Sequence, residues 1–443
     1  MRLVLLLLVV ALARLTAVDD TRVRQILKQR IDRDLKARVM VVGLVDDQGV
    51  RVVAHGTPAA DGDSVFEIGS VTKVFTGILL AEMIERGEVA LDDPIAKYLP
   101  KGLPLPSRSG KEITLGSLVT QSSGLPRLPF NLAPKDAANP YADYTVDLLY
   151  AALGKIQLAH DPFEHYEYSN LGVGLLGHVL SVRAGKSYEA LLRERVLDPL
   201  GMNDTVIVLD EARRARLTPG HTPSLDAARN WDMGVLAGAG ALRSTANDML
   251  TLLRAQLGLL KVNGPLGSAL MRAPVALRPT ASEGLAVGMG WHILTRRGLN
   301  IVWHNGGTGG YRSWVGYAPD KKTGVVVLSD TAVAVDDIGL HLLDATFRLT
   351  NYTPNARRRE MMQEESAMRQ HVGRYRLNPV TTIVITLEEG RLNAQATGQA
   401  KARLYAEAPG RYFMKEAEAQ IEFGSNGLVL RRGGESLVAE KIK

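Results

Sequence analysis

Apolar and polar positions along the chain follow two different periods, and the change between them falls at one place. Residues 38 to 55, R-V-M-V-V-G-L-V-D-D-Q-G-V-R-V-V-A-H, read as two β-rich runs around D-D-Q-G, the pattern of a hairpin. After Phe66-Glu67-Ile68-Gly69 the spacing becomes helical. Val71, Val74, Phe75, Ile78, Leu79 and Met83 predict a helix from Ser70 to Arg86, ended by Gly87. Ser70 falls where an N-cap or first-turn residue belongs. A mostly helical, loop-rich region follows, to about residue 285. Short β-like runs come next: A-V-G-M-G-W-H-I-L, N-I-V-W-H, Y-R-S-W-V-G-Y-A and T-G-V-V-V-L-S. A helix after Asp336, D-I-G-L-H-L-L-D-A-T-F, closes the unit. Strands at both ends with helices between them predict an α+β fold, one antiparallel sheet built from N- and C-terminal segments with a large helical insertion.

The remaining residues change character. The charged stretch 353–368, which contains N-A-R-R-R-E-M-M-Q-E-E-S-A-M, reads as a linker helix. From 369 to 443 the pattern is β throughout, with T-T-I-V-I-T-L-E-E-G-R-L-N-A-Q, R-Y-F-M-K and A-Q-I-E-F-G-S-N-G-L-V-L-R-R. The Asn426-Gly427 pair marks a tight hairpin. These short strands predict a small all-β barrel as a second domain. The preceding domain is expected to span 18–352.

At the other end, Arg2 precedes an apolar run of eleven residues, L-V-L-L-L-L-V-V-A-L-A, with small residues near Ala13 and Ala17. The run is too short to cross a bilayer and has the layout of a signal peptide over 1–17. Export to a bacterial periplasm or exterior, with no membrane span after cleavage, is the expectation. The chain has no cysteine, so its fold holds without disulfides. Net charge is +6, but the basic runs Arg213-Arg214-Ala215-Arg216 and Arg357-Arg358-Arg359 are short and have acids nearby. They read as solvated faces, and no nucleic-acid partner is expected. The nine histidines form neither H-E-x-x-H nor a clustered H-x-H-x-D, so no metal and no cofactor is implied. The lack of a G-x-S-x-G elbow argues against an α/β-hydrolase.

Ser70 and Lys73 form an S-x-x-K on one helical face, with Cβ atoms roughly 5–6 Å apart and the partial positive charge of a helix start beneath the hydroxyl. A nucleophilic serine needs a base, donors for an oxyanion and a group that orients the substrate. Tyr168 and Asn170 supply a Y-x-N ahead of a helical run, and His304, Gly306 and Gly307 lie in W-H-N-G-G-T-G-G. With Q-S-S-G-L-P from Gln121, D-P-L-G-M from Asp198 and G-A-G-A-L-R-S-T from Gly238, the set resembles the penicillin-recognising serine hydrolases. The likeness is to the branch of class C β-lactamases, D-alanyl-D-alanine carboxypeptidases, D-aminopeptidases and related esterases, and it covers roughly residues 20 to 350. The final domain resembles the lipocalin-like barrel appended to some of them.

The resemblance implies roles. Ser70 would be acylated; Lys73 and Tyr168 would share the proton transfers; Asn170 would hold the substrate's acyl-side amide. The N–H groups of Ser70 and Gly307 would form the oxyanion hole. His304 stands where most relatives carry the lysine of K-T-G, and Asn305 replaces its threonine, so clamping of a substrate carboxylate is weakened. Free Lys and Tyr titrate near 10, so a base working at neutrality needs a drop of about three pH units, about 4 kcal/mol. The sequence leaves open which of the two serves. Implied substrates are β-lactams or D-amino-acid peptides, with short acyl esters as the alternative and a non-catalytic penicillin- or peptidoglycan-binding receptor as the second. A literal K-T-G at Lys322-Thr323-Gly324 reads as a hairpin tip, and the G-x-G-x-x-G of Gly172, Gly174 and Gly177 as helix packing, since no strand precedes it.

Overall fold

Strand β1 (Val39–Asp46) is buried at all 8 positions, and its almost unbroken apolar run follows from having both faces covered. In the computed structural model, which describes residues 19–46, 49–351, 358–378, 381–397, 399, 401–432 and 435–442, β1 pairs antiparallel with β2 (Gly49–Gly56). The other strands of this sheet are β3 (Arg278–Pro279), β4 (Leu285–Val287), β5 (His292–Arg296), β6 (Leu299–Gly307), β7 (Arg312–Ala318) and β8 (Thr323–Ser329). Their order is β2-β1-β8-β7-β6-β5-β4-β3, so N- and C-terminal segments share one antiparallel sheet, as expected.

Alternate residues of the central strands enter two different cores. Val39, Val41 and Val45 of β1, with Val326 and Leu328 of β8, join the core on the side of the helical insertion. Met40, Val42 and Leu44, with Val325 and Val327, meet helices α1 (Asp20–Lys28) and α5 (Asp336–Leu343) on the other side. Arg30, just past α1, donates to Asp337 of α5 at 2.5 Å and so ties the two ends of the domain together.

The insertion carries α2 (Thr72–Glu85), α3 (Asn170–Ala184) and α4 (Ala246–Gln256). The apolar spacing predicts an amphipathic α2, yet every residue from Thr72 to Met83 is buried, because the helix lies inside the main core with α3 against it. Gly174 and Gly177 serve helix packing: an added Cβ would come 2.7 Å from Leu236 at the first and 2.9 Å from the Gly238 Cα at the second. The literal K-T-G lies at the β7–β8 hairpin tip, with Lys322 in the left-handed region (φ 52).

The C-terminal strands are β9 (Gly373–Asn378), β10 (Thr381–Glu388), β11 (Arg391–Ala396), β12 (Ala402–Arg403), β13 (Tyr405–Ala408), β14 (Arg411–Phe413), β15 (Ala419–Phe423), β16 (Gly427–Arg432) and β17 (Glu435–Ile442). Their order is β12-β11-β10-β9-β17-β16-β15-β14-β13. The two edge strands are neighbours in sequence, so the sheet curls into a nearly closed barrel around Tyr375, Ile383, Ile385, Leu392, Tyr412 and Ile421. One element differs from expectation. In place of a helix across 353–368, the described part has a single short helix, Glu365–Arg369, and 358–364 is not helical. Charges from the barrel hold that stretch out: Arg358 pairs with Glu407, Glu360 pairs with Arg391, and the Met361 N–H donates to the Ala406 carbonyl at 2.9 Å. The expected signal peptide and the turn at 47–48 lie outside the described residues. Among the described residues no helix is long and apolar enough to cross a membrane.

Candidate active site

Three segments, distant in sequence, are locked together by their own backbone before any side-chain chemistry is considered. Ser70 sits in a tight turn, Gly69–Val71, that leads into α2, and no side chain caps that turn. The turn is held from the sheet side. The Ser313 hydroxyl of β7 donates to the Ile68 carbonyl at 2.7 Å, and the Ile68 N–H donates to Leu242 at 3.0 Å. Gly69 has φ 49, and a Cβ there would lie 2.6 Å from the Gly307 nitrogen. At Gly306 a Cβ would lie 1.9 Å from the Ile68 oxygen. Glycine is therefore required at Gly69 and Gly306 for β6 to run alongside Ser70. Gly306→Ala is expected to cost about 1–3 kcal/mol in urea unfolding and, by pushing β6 away from Ser70, to lower kcat/KM about 10²-fold.

The Y-S-N segment is fixed by its serine. Ser169 caps α3, its oxygen accepting from the Gly172 N–H at 2.8 Å while its hydroxyl donates to the Pro126 carbonyl at 2.6 Å. Its N–H donates to Gln121 Oε1 at 2.8 Å, and the Asn170 N–H donates to the Arg127 carbonyl at 3.0 Å. Q-S-S-G-L-P-R and Y-S-N are thus one structural unit, which places Tyr168 and Asn170 at the mouth of α2.

Lys73 is buried at the meeting point. Its Nζ lies 3.0 Å from Ser70 Oγ, 2.8 Å from Asn170 Oδ1, 2.7 Å from the Ala239 carbonyl and 4.8 Å from the centre of the Tyr168 ring. Burial, then the Arg127 charge, holds its pKa well below the ordinary lysine value. Burial pushes the Tyr168 phenol's pKa up and outweighs the opposing effect of the Ser70 hydroxyl. Asn170 brings its carbonyl oxygen to Lys73.

His304 is 2% exposed and packs 4.9 Å from the His292 ring and 6.3 Å from that of Tyr168. Burial, then His292 and Lys73, pushes its pKa well below the usual imidazole range, so it is uncharged near neutrality. Its Nδ1 lies 2.6 Å from the Asn305 carbonyl, which can only accept, so Nδ1 carries the proton and Nε2 the lone pair. The Asn305 side chain is turned away, donating to Asp336 Oδ1 at 2.6 Å.

Several neighbours escaped the motif reading. His292 lies opposite Trp303 on the adjacent strand, accepts or donates at 3.1 Å to the Tyr166 hydroxyl, and is pushed down to about 4 by burial and then by Lys73. The repeated W-H dipeptide, Trp291-His292 and Trp303-His304, was its only trace in the sequence. Arg127, directly after Q-S-S-G-L-P, places its guanidinium 5.1 Å from the Tyr168 ring centre. Arg312 faces Gly307 across β6 and β7. Among the described residues no group of three or more His, Cys, Asp and Glu could hold a metal ion.

Comparisons with known proteins bear on this arrangement. The family profile described as Beta-lactamase matches residues 23–347. The D-alanyl-D-alanine-carboxypeptidase/endopeptidase AmpH of Escherichia coli (strain K12) is 29% identical over 282 residues, 60% of this chain and 71% of that protein. A class C beta lactamase from Rhodobacter sphaeroides shares the fold with a TM-score of 0.63 at 24% identity, over 73% of this chain and 98% of that one. An octameric penicillin-binding protein homologue from Pyrococcus abyssi, also at TM-score 0.63 and 21% identical, matches 94% of this chain and 98% of its own, so that likeness in fold extends into the barrel.

Proposed function

The chain belongs to the beta-lactamase family and is a serine hydrolase, and from that premise we propose that Ser70 is its nucleophile, acting through an acyl-enzyme on β-lactams or D-alanyl-type peptides. The observation that carries this reading is the set of partners around Lys73. A neutral amine has two N–H bonds and one lone pair. Ala239 and Asn170 take the two N–H bonds at 2.7 and 2.8 Å, which leaves the lone pair for the Ser70 hydroxyl at 3.0 Å. The downward shift of Lys73 and the upward shift of Tyr168 both favour the lysine as base and the phenol as acid.

The steps follow from those assignments. Ser70 Oγ bonds to the substrate carbonyl carbon as its proton passes to Lys73 Nζ. The Ser70 and Gly307 N–H groups receive the oxyanion. As the C–N or C–O bond breaks, Tyr168 gives its proton to the leaving group and regains one from the Lys73 ammonium, which restores the neutral amine. Water then attacks the Ser70 ester by the same route. Asn170, anchored by Lys73, keeps its amide nitrogen for the substrate's acyl side.

Ester hydrolysis on the same residues is the second reading, and the uncharged His304 favours it, because no cation stands at the K-T-G position to grip a substrate carboxylate. The receptor alternative is disfavoured by the assembly of Ser70, Lys73 and Tyr168 in one place. The apolar run after Arg2 supports export. Mass spectrometry of the protein quenched during turnover of nitrocefin, a D-alanyl peptide or p-nitrophenyl butyrate is expected to find the acyl group on the peptide containing Ser70. Hydrolysis accompanied by an adduct on any other residue would overturn the assignment.

A further inference from the structure

If His304 is uncharged, the cation for a charged substrate must come from elsewhere, and three arginines from three segments converge on the cleft. Arg127 lies over Tyr168. Arg312 lies beside Gly307: its Nη1 donates to the Thr308 and Tyr311 carbonyls at 2.9 Å each and stands 2.6 Å from where a Gly307 Cβ would be. Arg432 comes from the barrel, at the end of β16, opposite Ala419 of β15. That corner of the barrel rests on the hydrolase domain through Glu418, which accepts from the Ala334 N–H at 3.4 Å between β8 and α5.

Arg432 is close enough to Arg127 and to Arg312 to repel each of them. Arg432 keeps an exposed side chain at the end of β16, and partial burial and then Arg127 shift it downward; Arg312 is shifted to about 10 by burial and then by Arg432, against the opposing pull of Glu418 on both and Asp336 on Arg312. Among the described side chains no carboxylate lies within ion-pair distance of Arg127, Arg312 or Arg432. Three cations beside a nucleophile, with Glu418 and Asp336 near them but outside ion-pair distance, form an electrostatic receptor for an anion. Nothing in the hydrolase domain alone requires it, since Asn305 and His304 supply no charge.

We propose that Arg432 of the C-terminal barrel completes, with Arg127 and Arg312, a carboxylate-recognising rim on the catalytic cleft, so that the barrel selects substrates carrying a negative charge. This rests on the acyl-enzyme reading above. The barrel is thereby a specificity element, a role that a separate stabilising module would not have.

The test compares matched esters on the full-length protein. Mono-p-nitrophenyl glutarate carries a carboxylate on the acyl side and p-nitrophenyl butyrate does not; 3-carboxyphenyl butyrate and phenyl butyrate place or omit it on the leaving side. The expected result is a higher kcat/KM for one charged member than for its neutral partner. That ratio should fall about tenfold in Arg432→Glu and less in Arg432→Gln, mainly through KM, and should shrink with added salt. Arg403→Gln, at a barrel arginine paired with Glu389, is the control for net charge. An equal ratio in wild type, Arg432→Glu and Arg432→Gln overturns the rim, as does an equal fall in Arg403→Gln. Failure of the wild type to hydrolyse any of the four together with nitrocefin would instead overturn the acyl-enzyme reading beneath it.

Discussion

Ser70→Ala is expected to reduce kcat about 10⁴-fold or more on every substrate the protein turns over, with melting temperature nearly unchanged. Both halves of that result follow from the local structure. The turn Gly69–Val71 that carries Ser70 uses no serine cap, and its shape depends on Gly69 at φ 49, on Ser313 and on Leu242. Removing the hydroxyl leaves those supports in place. What is lost is the atom that forms the acyl ester, so only substrate positioning and the oxyanion donors remain to act on water. Steady-state assays beside thermal denaturation separate the outcomes. An Ala variant that still hydrolyses its substrate within tenfold of wild type would remove Ser70 from the chemistry, and a large fall in melting temperature would return it to a structural role.

Much of this site was legible because its pieces are local. S-x-x-K reads from helical spacing, and Y-S-N and H-N-G-G read as short landmarks in a fixed order, each confined to a few neighbouring residues. The hairpin over 38–55 and the Asn426-Gly427 turn are likewise decided by nearest neighbours in sequence. What was hidden depends on distance in space. The burial of α2 from Thr72 to Met83 is set by layers contributed from residues far along the chain, so Lys73, Thr76 and Glu82 lie inside despite their polarity. The charge of His304 could not be read from its residue type, because its neutrality comes from burial among His292 and Lys73. Arg127, Arg312 and Arg432 come from a loop, a sheet strand and a separate barrel, and no spacing rule links them. The linker failed as a helix for a related reason: its charges found partners on the barrel and not along a helix face.

Lys73 is the residue at which the two halves of this account meet, and its variants are expected to separate charge from basicity. Lys73→Met removes the base, while Lys73→Arg keeps a cation that cannot lose its proton. If the neutral amine is the base, both lower kcat about 10³-fold, within the usual span of a lost acid–base group. If a fixed positive charge were the function, the arginine variant would retain most activity, and that outcome would exclude the mechanism. The pH dependence carries the same distinction. The amine must be unprotonated to act, so wild-type kcat/KM should rise with pH through the Lys73 pKa and then level off. Burial, then the Arg127 charge, lowers that pKa well below the ordinary value of 10.5, so the plateau should begin well below it. Tyr168 shifts the other way and remains a phenol across this range, able to donate to the leaving group throughout. Arg127 therefore acts on the base as well as on the rim. By raising the energy of the Lys73 ammonium it supports the amine that Ser70 needs, and the same charge joins Arg312 and Arg432 in attracting an anion. A substrate carboxylate seated among them would partly offset that effect and raise the Lys73 pKa. The acid limb of kcat, measured on the charged ester, should thus lie at higher pH than that of its neutral partner, and coincident limbs would mean that the rim and the base do not communicate.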